Sequence, residues 1–257
     1  MAAIISYFVI PSDIWPIEGW RVALLLTALP AIYAVYIRIK LPDSPQFAVK
    51  EVSKKRSVFQ NIADVWSKEY AKSTFMMWVL WFAVVFSYYG MFLWLPSVMV
   101  GKGFDLISSF KYVLIMTLAQ LPGYFTAAWF IEKFGRKFVL VTYLIGTAAS
   151  ALVFGNAETV GVLLASGMLL SFFNLGAWGA LYAYTPEQYP AVIRGTGAGM
   201  AAAVGRIGGV FGPLLVGSLL GKGYEYGTIF AIFCVAILIG VVAVIFLGKE
   251  TKQTELR

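Results

Sequence analysis

The sequence predicts an all-α integral membrane protein, and three observations carry that reading. Of its 257 residues, 60% are hydrophobic and only 13% are charged, with a mean hydropathy of +0.79. A water-soluble domain averages roughly 45–50% apolar and about 25% charged residues, so this chain cannot cover a globular surface with polar groups. Apolar runs of about 20 residues, the length that crosses a hydrocarbon core, recur along it. Lysines and arginines cluster in the gaps between those runs, which is the pattern of membrane topology. The excess of seven positive charges is therefore no sign of nucleic-acid binding. There is no histidine, and the single cysteine, Cys234, sits inside an apolar run. That excludes disulfide frameworks, Cys/His zinc sites and Ser–His or Cys–His catalytic pairs within the chain.

Residues 1–10 are apolar but too short to span, and they lack the basic start of a signal peptide; they read as the tail of a helix. The first full run is 21–39. A long basic connection follows, in which Val58, Phe59, Ile62, Val65 and Trp66 form an amphipathic stretch suited to the membrane interface. Further spans are predicted at 74–99, 110–131, 138–155, 160–184 and 227–247. The run 195–219 is glycine-rich and apolar apart from Arg206. Its pairs Gly195/Gly199, Gly205/Gly209 and Gly208/Gly212 stand four apart, a spacing that lets helix backbones pack closely. Segments 1–39, 40–73, 74–248 and 249–257 are the expected divisions: a remnant of one bundle, a central loop, a six-helix bundle and a tail.

Charge sets the orientation. Arg38, Lys40, Lys50, Lys54, Lys55, Arg56, Lys68 and Lys72 fall in the 38–72 segment, and Lys133, Arg136, Lys137, Arg194, Lys249, Lys252 and Arg257 fall in later segments on the same side. The opposite side holds Arg21, Lys102, Lys111 and Lys222. This asymmetry places the central loop and the C-terminus in the cytoplasm.

Three of these basic-side segments resemble those of the major facilitator superfamily. Leu41-Pro42-Asp43-Ser44-Pro45-Gln46-Phe47 is similar to the P-E-S-P-R-[FY] element after the sixth helix, with Asp43 and Gln46 as departures. Glu132-Lys133-Phe134-Gly135-Arg136-Lys137 resembles the D-[RK]-x-G-R-[RK] loop between helices eight and nine. Thr185-Pro186-Glu187-Gln188-Tyr189-Pro190, followed by Arg194-Gly195-Thr196-Gly197, looks like the junction between helices ten and eleven. Lys249-Glu250-Thr251-Lys252 is a worn P-E-T-K-G ending. The segments around Tyr88-Tyr89-Gly90 and Asn174–Glu187 are similar to bacterial niacin-permease-like transporters and their synaptic-vesicle-type relatives.

The resemblance implies the end of helix five, helix six and the C-terminal six-helix bundle of a twelve-helix fold, with the first part missing. It further implies a secondary transporter working by alternating access, monomeric at full length, multi-pass in the cell (inner or plasma) membrane, with no cofactor. The implied solute is small and organic, such as nicotinate or a similar aromatic carboxylate, with protons as the coupling ion. A sugar or organic-ion porter and an inactive fragment are the alternatives. With one complete repeat, these residues alone are not expected to carry out coupled transport.

Arg206 is the sharpest candidate for solute binding. Arginine at the bilayer centre costs at least about 2.5–3.5 kcal/mol and marks a functional site by default; the plainer reading is an arginine bonded to backbone carbonyls of a broken helix. Trp81 and Tyr88 share one helical face, and Asn174, Trp178 and Tyr182 repeat every four residues on another span. In the family fold these two helices line the cavity, where such faces form a stacking wall; elsewhere aromatic residues simply pack cores and belts. Gln120, an uncharged polar group at mid-span, suits a ligand contact and an interhelical hydrogen bond equally. Glu132, Gly135, Arg136, Glu187 and Arg194 are expected to form a cytoplasmic gate, although positive-inside charge alone accounts for neighbouring Lys133 and Lys137.

A membrane enzyme is disfavoured, because the chain lacks histidine, mid-depth carboxylates and a metal cluster. No repeated filter element marks a channel. All 13 acidic residues fall at span ends or in loops, so a coupling carboxylate is expected outside this bundle.

Overall fold

A computed structural model describes residues 18–26, 28–40 and 57–252. The 1–10 stretch and the motif at 41–47 lie outside these residues. All described secondary structure is helical: α1 (Gly19–Leu26), α2 (Leu29–Lys40), α3 (Val58–Val65), α4 (Ala71–Phe92), α5 (Leu95–Gly101), α6 (Leu106–Leu118), α7 (Gln120–Phe134), α8 (Arg136–Gly155), α9 (Val160–Glu187), α10 (Arg194–Gly221) and α11 (Tyr226–Leu247). Among the described residues, seven stretches are long and apolar enough to cross a membrane: Gly19–Lys40, Ala71–Phe92, Ser108–Phe134, Arg136–Gly155, Val160–Glu187, Arg194–Gly221 and Tyr226–Leu247.

The chain divides into two units, residues 1–60 and 61–257. In the first, α1 and α2 carry an apolar surface that stays exposed within the unit, with Ile32 and Ile39 among the most open side chains. At the start of α1, Arg21 Nε pairs with Glu18 at 3.2 Å and Trp20 Nε1 donates to the same carboxylate.

The second unit is the helical bundle. The predicted 74–99 span ends earlier than expected, because Trp94 separates α4 from a short α5 with Pro96 in its first turn. Proline is favoured there and cannot donate to the preceding turn, so the chain restarts a helix rather than extending α4. The 110–131 span begins sooner, at Leu106, where Asp105 caps α6 by accepting from Ser108 N at 2.9 Å. It breaks at Ala119, three residues before Pro122, which cannot bond back to Leu118. Thr159 caps α9 in the same manner as Asp105 caps α6.

Within the bundle α4 packs along α10 and α11, α8 along α9 and α11, and α7 along α9. Lipid is as apolar as a leucine side chain, so close van der Waals packing rather than water exclusion holds such helices together. The α4–α10 seam shows how. A Cβ on Gly212 would lie 2.4 Å from the Phe86 carbonyl oxygen, and one on Gly208 would lie 2.8 Å from that of Phe82. These glycines bring the two backbones into contact, as the four-residue spacing predicts. Gly195 and Gly199 do not share the task; a Cβ on either meets open space. Their spacing is the same, but both face out of the bundle.

At the end away from the charged loops, Lys102 Nζ donates to the Ala157 carbonyl at 2.8 Å and lies over the Tyr226 ring. Burial holds its pKa below the usual lysine value, opposed by the charge of Glu158. This lysine ties the end of α5 to the turn before α9 and the first turn of α11.

Candidate functional site

Two groups of side chains stand out, and the predicted residues divide between them. The first lies between α4 and α9. These two helices touch at only a few points along their backbones, so large side chains fill the space between them. Trp178 meets Trp81 edge-on at 5.9 Å between ring centroids, Tyr88 at 5.4 Å and Tyr182 at 5.6 Å. Trp81 also meets Tyr182 at 5.4 Å. The four predicted aromatic residues thus form one cluster. Trp81 and Trp178 are buried, whereas Tyr182 is 56% exposed and forms the open rim.

The two indoles differ in one respect that bears on binding. Trp81 Nε1 donates to Thr185 Oγ1 at 2.9 Å. Trp178 Nε1 has no hydrogen-bond partner, nor does Asn174 Oδ1 one turn away or Ser171 Oγ below it. All three belong to residues at least nine-tenths buried. Unpaired polar groups at that depth are costly and call for an explanation.

Arg206 stands beside the cluster. It is exposed on α10, and its Nη1 donates to the Tyr89 hydroxyl at 3.3 Å. Tyr89 meets Tyr88 edge-on at 5.4 Å, which links the guanidinium to the aromatic rings. The adjacent Gly205 makes the approach of α10 feasible: a Cβ there would lie 3.2 Å from the Trp81 ring. The partner of Arg206 is therefore a tyrosine hydroxyl rather than the backbone carbonyls of a broken helix. Gln120 stands apart, half-buried at the break between α6 and α7. Among the described residues no hydrogen bond joins it to the cluster.

The second group gathers at the charged end. Gly135 separates α7 from α8 with φ of 96°, a conformation glycine adopts without strain. The turn leaves the first amides of α8 pointing outward, and Glu250 of the tail takes them. Its Oε1 accepts from Arg136 N at 2.9 Å and its Oε2 from Lys137 N at 3.1 Å. A carboxylate is favoured there both by the unpaired N–H groups and by the helix dipole. A Cβ on Gly135 would sit 2.6 Å from that carboxylate, so position 135 needs glycine for space as well as for φ.

Arg136 reaches two acids. Nη2 pairs with Glu132 at 3.0 Å and Nε with Glu187 at 3.2 Å. Glu132 is largely exposed, so that contact is weak; Arg136 and Glu187 are only 16% and 17% exposed, so theirs is the substantial one. Thr251 donates its hydroxyl to the other oxygen of Glu187. Lys252 Nζ bonds the Lys133 carbonyl, and Lys137 Nζ bonds the carbonyls of Ile245 and Gly248, each at 2.9 Å. The structure therefore brings Glu132, Gly135, Arg136 and Glu187 together. Arg194, at the head of α10, donates from Nε to the Tyr189 carbonyl at 3.3 Å. Sequence reasoning missed the reach of Glu250 and Thr251; the worn ending at 249–252 was the available signal.

A cavity of about 410 Å³ lies between α7 and α9. Glu132 lines it at one end and Tyr124, Gly179 and Ala183 line its walls. The last two flank Trp178 and Tyr182 in sequence, so the cavity runs from the neighbourhood of the aromatic cluster towards the charged end.

Comparison with known proteins agrees with this architecture. The chain matches the Major Facilitator Superfamily over residues 112–257. It is 63% identical over 255 residues to NiaP of Bacillus subtilis, to which niacin/nicotinamide transport is provisionally ascribed, covering 99% of this chain and 62% of that one. It is 42% identical over 281 residues to the niacin transporter NiaP of Acinetobacter baylyi, covering 98% and 62%. It thus spans about three-fifths of the length of these curated relatives. Among solved structures, the proton:xylose symporter XylE bound to 6-bromo-6-deoxy-D-glucose superposes with a TM-score of 0.76 at 17% identity, covering 99% of this chain and 62% of XylE. At that identity the likeness establishes the fold alone. The superfamily match covers more than half of the chain and lies within its helical bundle, so the protein belongs to the Major Facilitator Superfamily.

Proposed function

We propose that this chain carries the solute-binding face and one gate of a secondary transporter for a small aromatic carboxylate, with nicotinate as the solute. The observation that supports this most is Arg206, a permanent cation within an apolar span, set beside four clustered aromatic rings through Tyr89. A guanidinium offers a carboxylate two parallel hydrogen bonds, and the rings offer a flat face to stack upon. The names of the two niacin-related relatives support the same solute class.

On this reading solute binds near the bilayer midplane and the helical bundle rocks between two orientations. The network of Arg136, Glu187 and the tail is the cytoplasmic gate, and protons are the coupling ion. The direct test is equilibrium binding of radiolabelled nicotinate to the protein in lipid nanodiscs. Saturable binding, displaced by unlabelled nicotinate and untouched by excess hexose, is expected. Binding of hexose in place of nicotinate would move the chain to the sugar porters.

A further inference from the structure

The geometry points to Trp178 as the residue that reads a ring heteroatom of the solute, its indole N–H being aimed at an acceptor in the plane of a flat heteroaromatic ring. This inference rests on the nicotinate reading above and adds to it the residue that tells this ring from one without nitrogen.

Trp178 is 8% exposed, and its N–H lacks a partner, while neighbouring Trp81, on the facing helix, spends its own N–H on Thr185. The two indoles share one environment, so the difference is not a matter of depth. The orphan is also not free to turn away. Trp81, Tyr88 and Tyr182 hold the Trp178 ring on three sides, with Trp81 and Tyr88 edge-on.

A second observation points the same way. Positions 171, 174, 178 and 185 fall on one face of α9, and Thr185 of that face meets Trp81 of α4. Ser171 Oγ and Asn174 Oδ1 on this face are unpaired as well. Three unpaired polar groups thus fall on the face of α9 that turns Trp178 and Thr185 towards Trp81 of α4. An indole N–H can only donate, so its complement is an acceptor lone pair, and on a flat ring whose carboxylate is held by Arg206 that acceptor is a ring nitrogen, as in pyridine. Asn174 and Ser171, on the same face of α9, hold a water or a ring substituent.

A solute that supplies the acceptor removes the orphan, whereas the same ring with C–H in place of nitrogen leaves it buried and unpaired. Sites built to hydrogen-bond a group discriminate strongly against the analogue that lacks it. Benzoate is that analogue, since it keeps the carboxylate and the ring shape and lacks the nitrogen.

Nicotinate and benzoate are titrated separately against the wild-type protein and Trp178→Phe in nanodiscs. The wild type is expected to bind nicotinate at least tenfold more tightly than benzoate. Trp178→Phe keeps an aromatic face and is expected to narrow that ratio to about twofold, chiefly through loss of nicotinate affinity. A wild type that binds both acids equally overturns the heteroatom assignment and leaves the aromatic-carboxylate reading standing, and it does so without any variant that has to fold. Equal losses for both acids in Trp178→Phe also overturn it. Binding of neither acid by the wild type overturns the nicotinate reading, and this assignment with it.

Discussion

Arg206→Lys is expected to weaken nicotinate binding by tenfold or more while nicotinamide loses much less. Arginine stays protonated in a protein, so its charge within a span must be met by a partner, by water or by a ligand anion. The Tyr89 hydroxyl takes one N–H at 3.3 Å but carries no charge to offset the guanidinium. Lysine preserves the charge and removes the planar fork that grips two carboxylate oxygens at once. Charge-assisted hydrogen bonds are roughly twice as strong as neutral ones, so losing one is worth about an order of magnitude in affinity. The uncharged amide never used that bond fully and so loses little. Paired titrations of acid and amide on both proteins read the effect. Equal losses for the two ligands would make Arg206 a structural residue.

Set in a complete twelve-helix transporter, Arg136→Ala is expected to lower nicotinate uptake into proteoliposomes about tenfold, with insertion and helix content retained. Arg136 bridges two helix ends, α7 through Glu132 and α9 through Glu187, and its own amide is held by Glu250 of the tail. Removing the guanidinium leaves Glu187 with the Thr251 hydroxyl but without its charged partner. Loss of one member of a buried pair costs more than the pair contributes when intact. The cost falls on whichever conformation forms the bridge, and a gate contributes through that difference between conformations. Coupling energies of about 1–3 kcal/mol are typical of such links and shift an equilibrium 5–150-fold. Initial uptake rates and equilibrium affinity are measured side by side. Normal rates with unchanged affinity would remove Arg136 from the gate.

Much of the architecture was legible because membrane spans are written at the scale of twenty residues, where a single hydropathy trend decides. What that trend cannot resolve is a proline-set break. The structure divides the 74–99 run before Pro96 and the 110–131 run near Pro122, since both prolines lack the amide an unbroken helix needs. Arg206 was legible as a charge in an apolar run, and the aromatic faces were legible from helical spacing. Periodicity shows which side chains share a face but not which N–H finds an acceptor. The satisfied Trp81 and the orphaned Trp178 are therefore indistinguishable in sequence. The tail shows the same limit at longer range. Glu250 bonds backbone amides more than a hundred positions away, a pairing that no local pattern encodes.

Nicotinate is expected to sit against the aromatic cluster between α4 and α9, whose rim offers a direct readout. Tyr182 is 56% exposed on that rim, and Cys234, the only native cysteine, is buried and is replaced by serine to leave a single reporter thiol. In the Cys234→Ser background, Tyr182→Cys and, as a control on α11, Phe246→Cys are labelled with a small thiol reagent in nanodiscs. Saturating nicotinate is predicted to slow labelling at position 182 several-fold and to leave position 246 unchanged. Identical labelling rates at 182 with and without nicotinate, under conditions where nicotinate binds, would contradict the placement of the site.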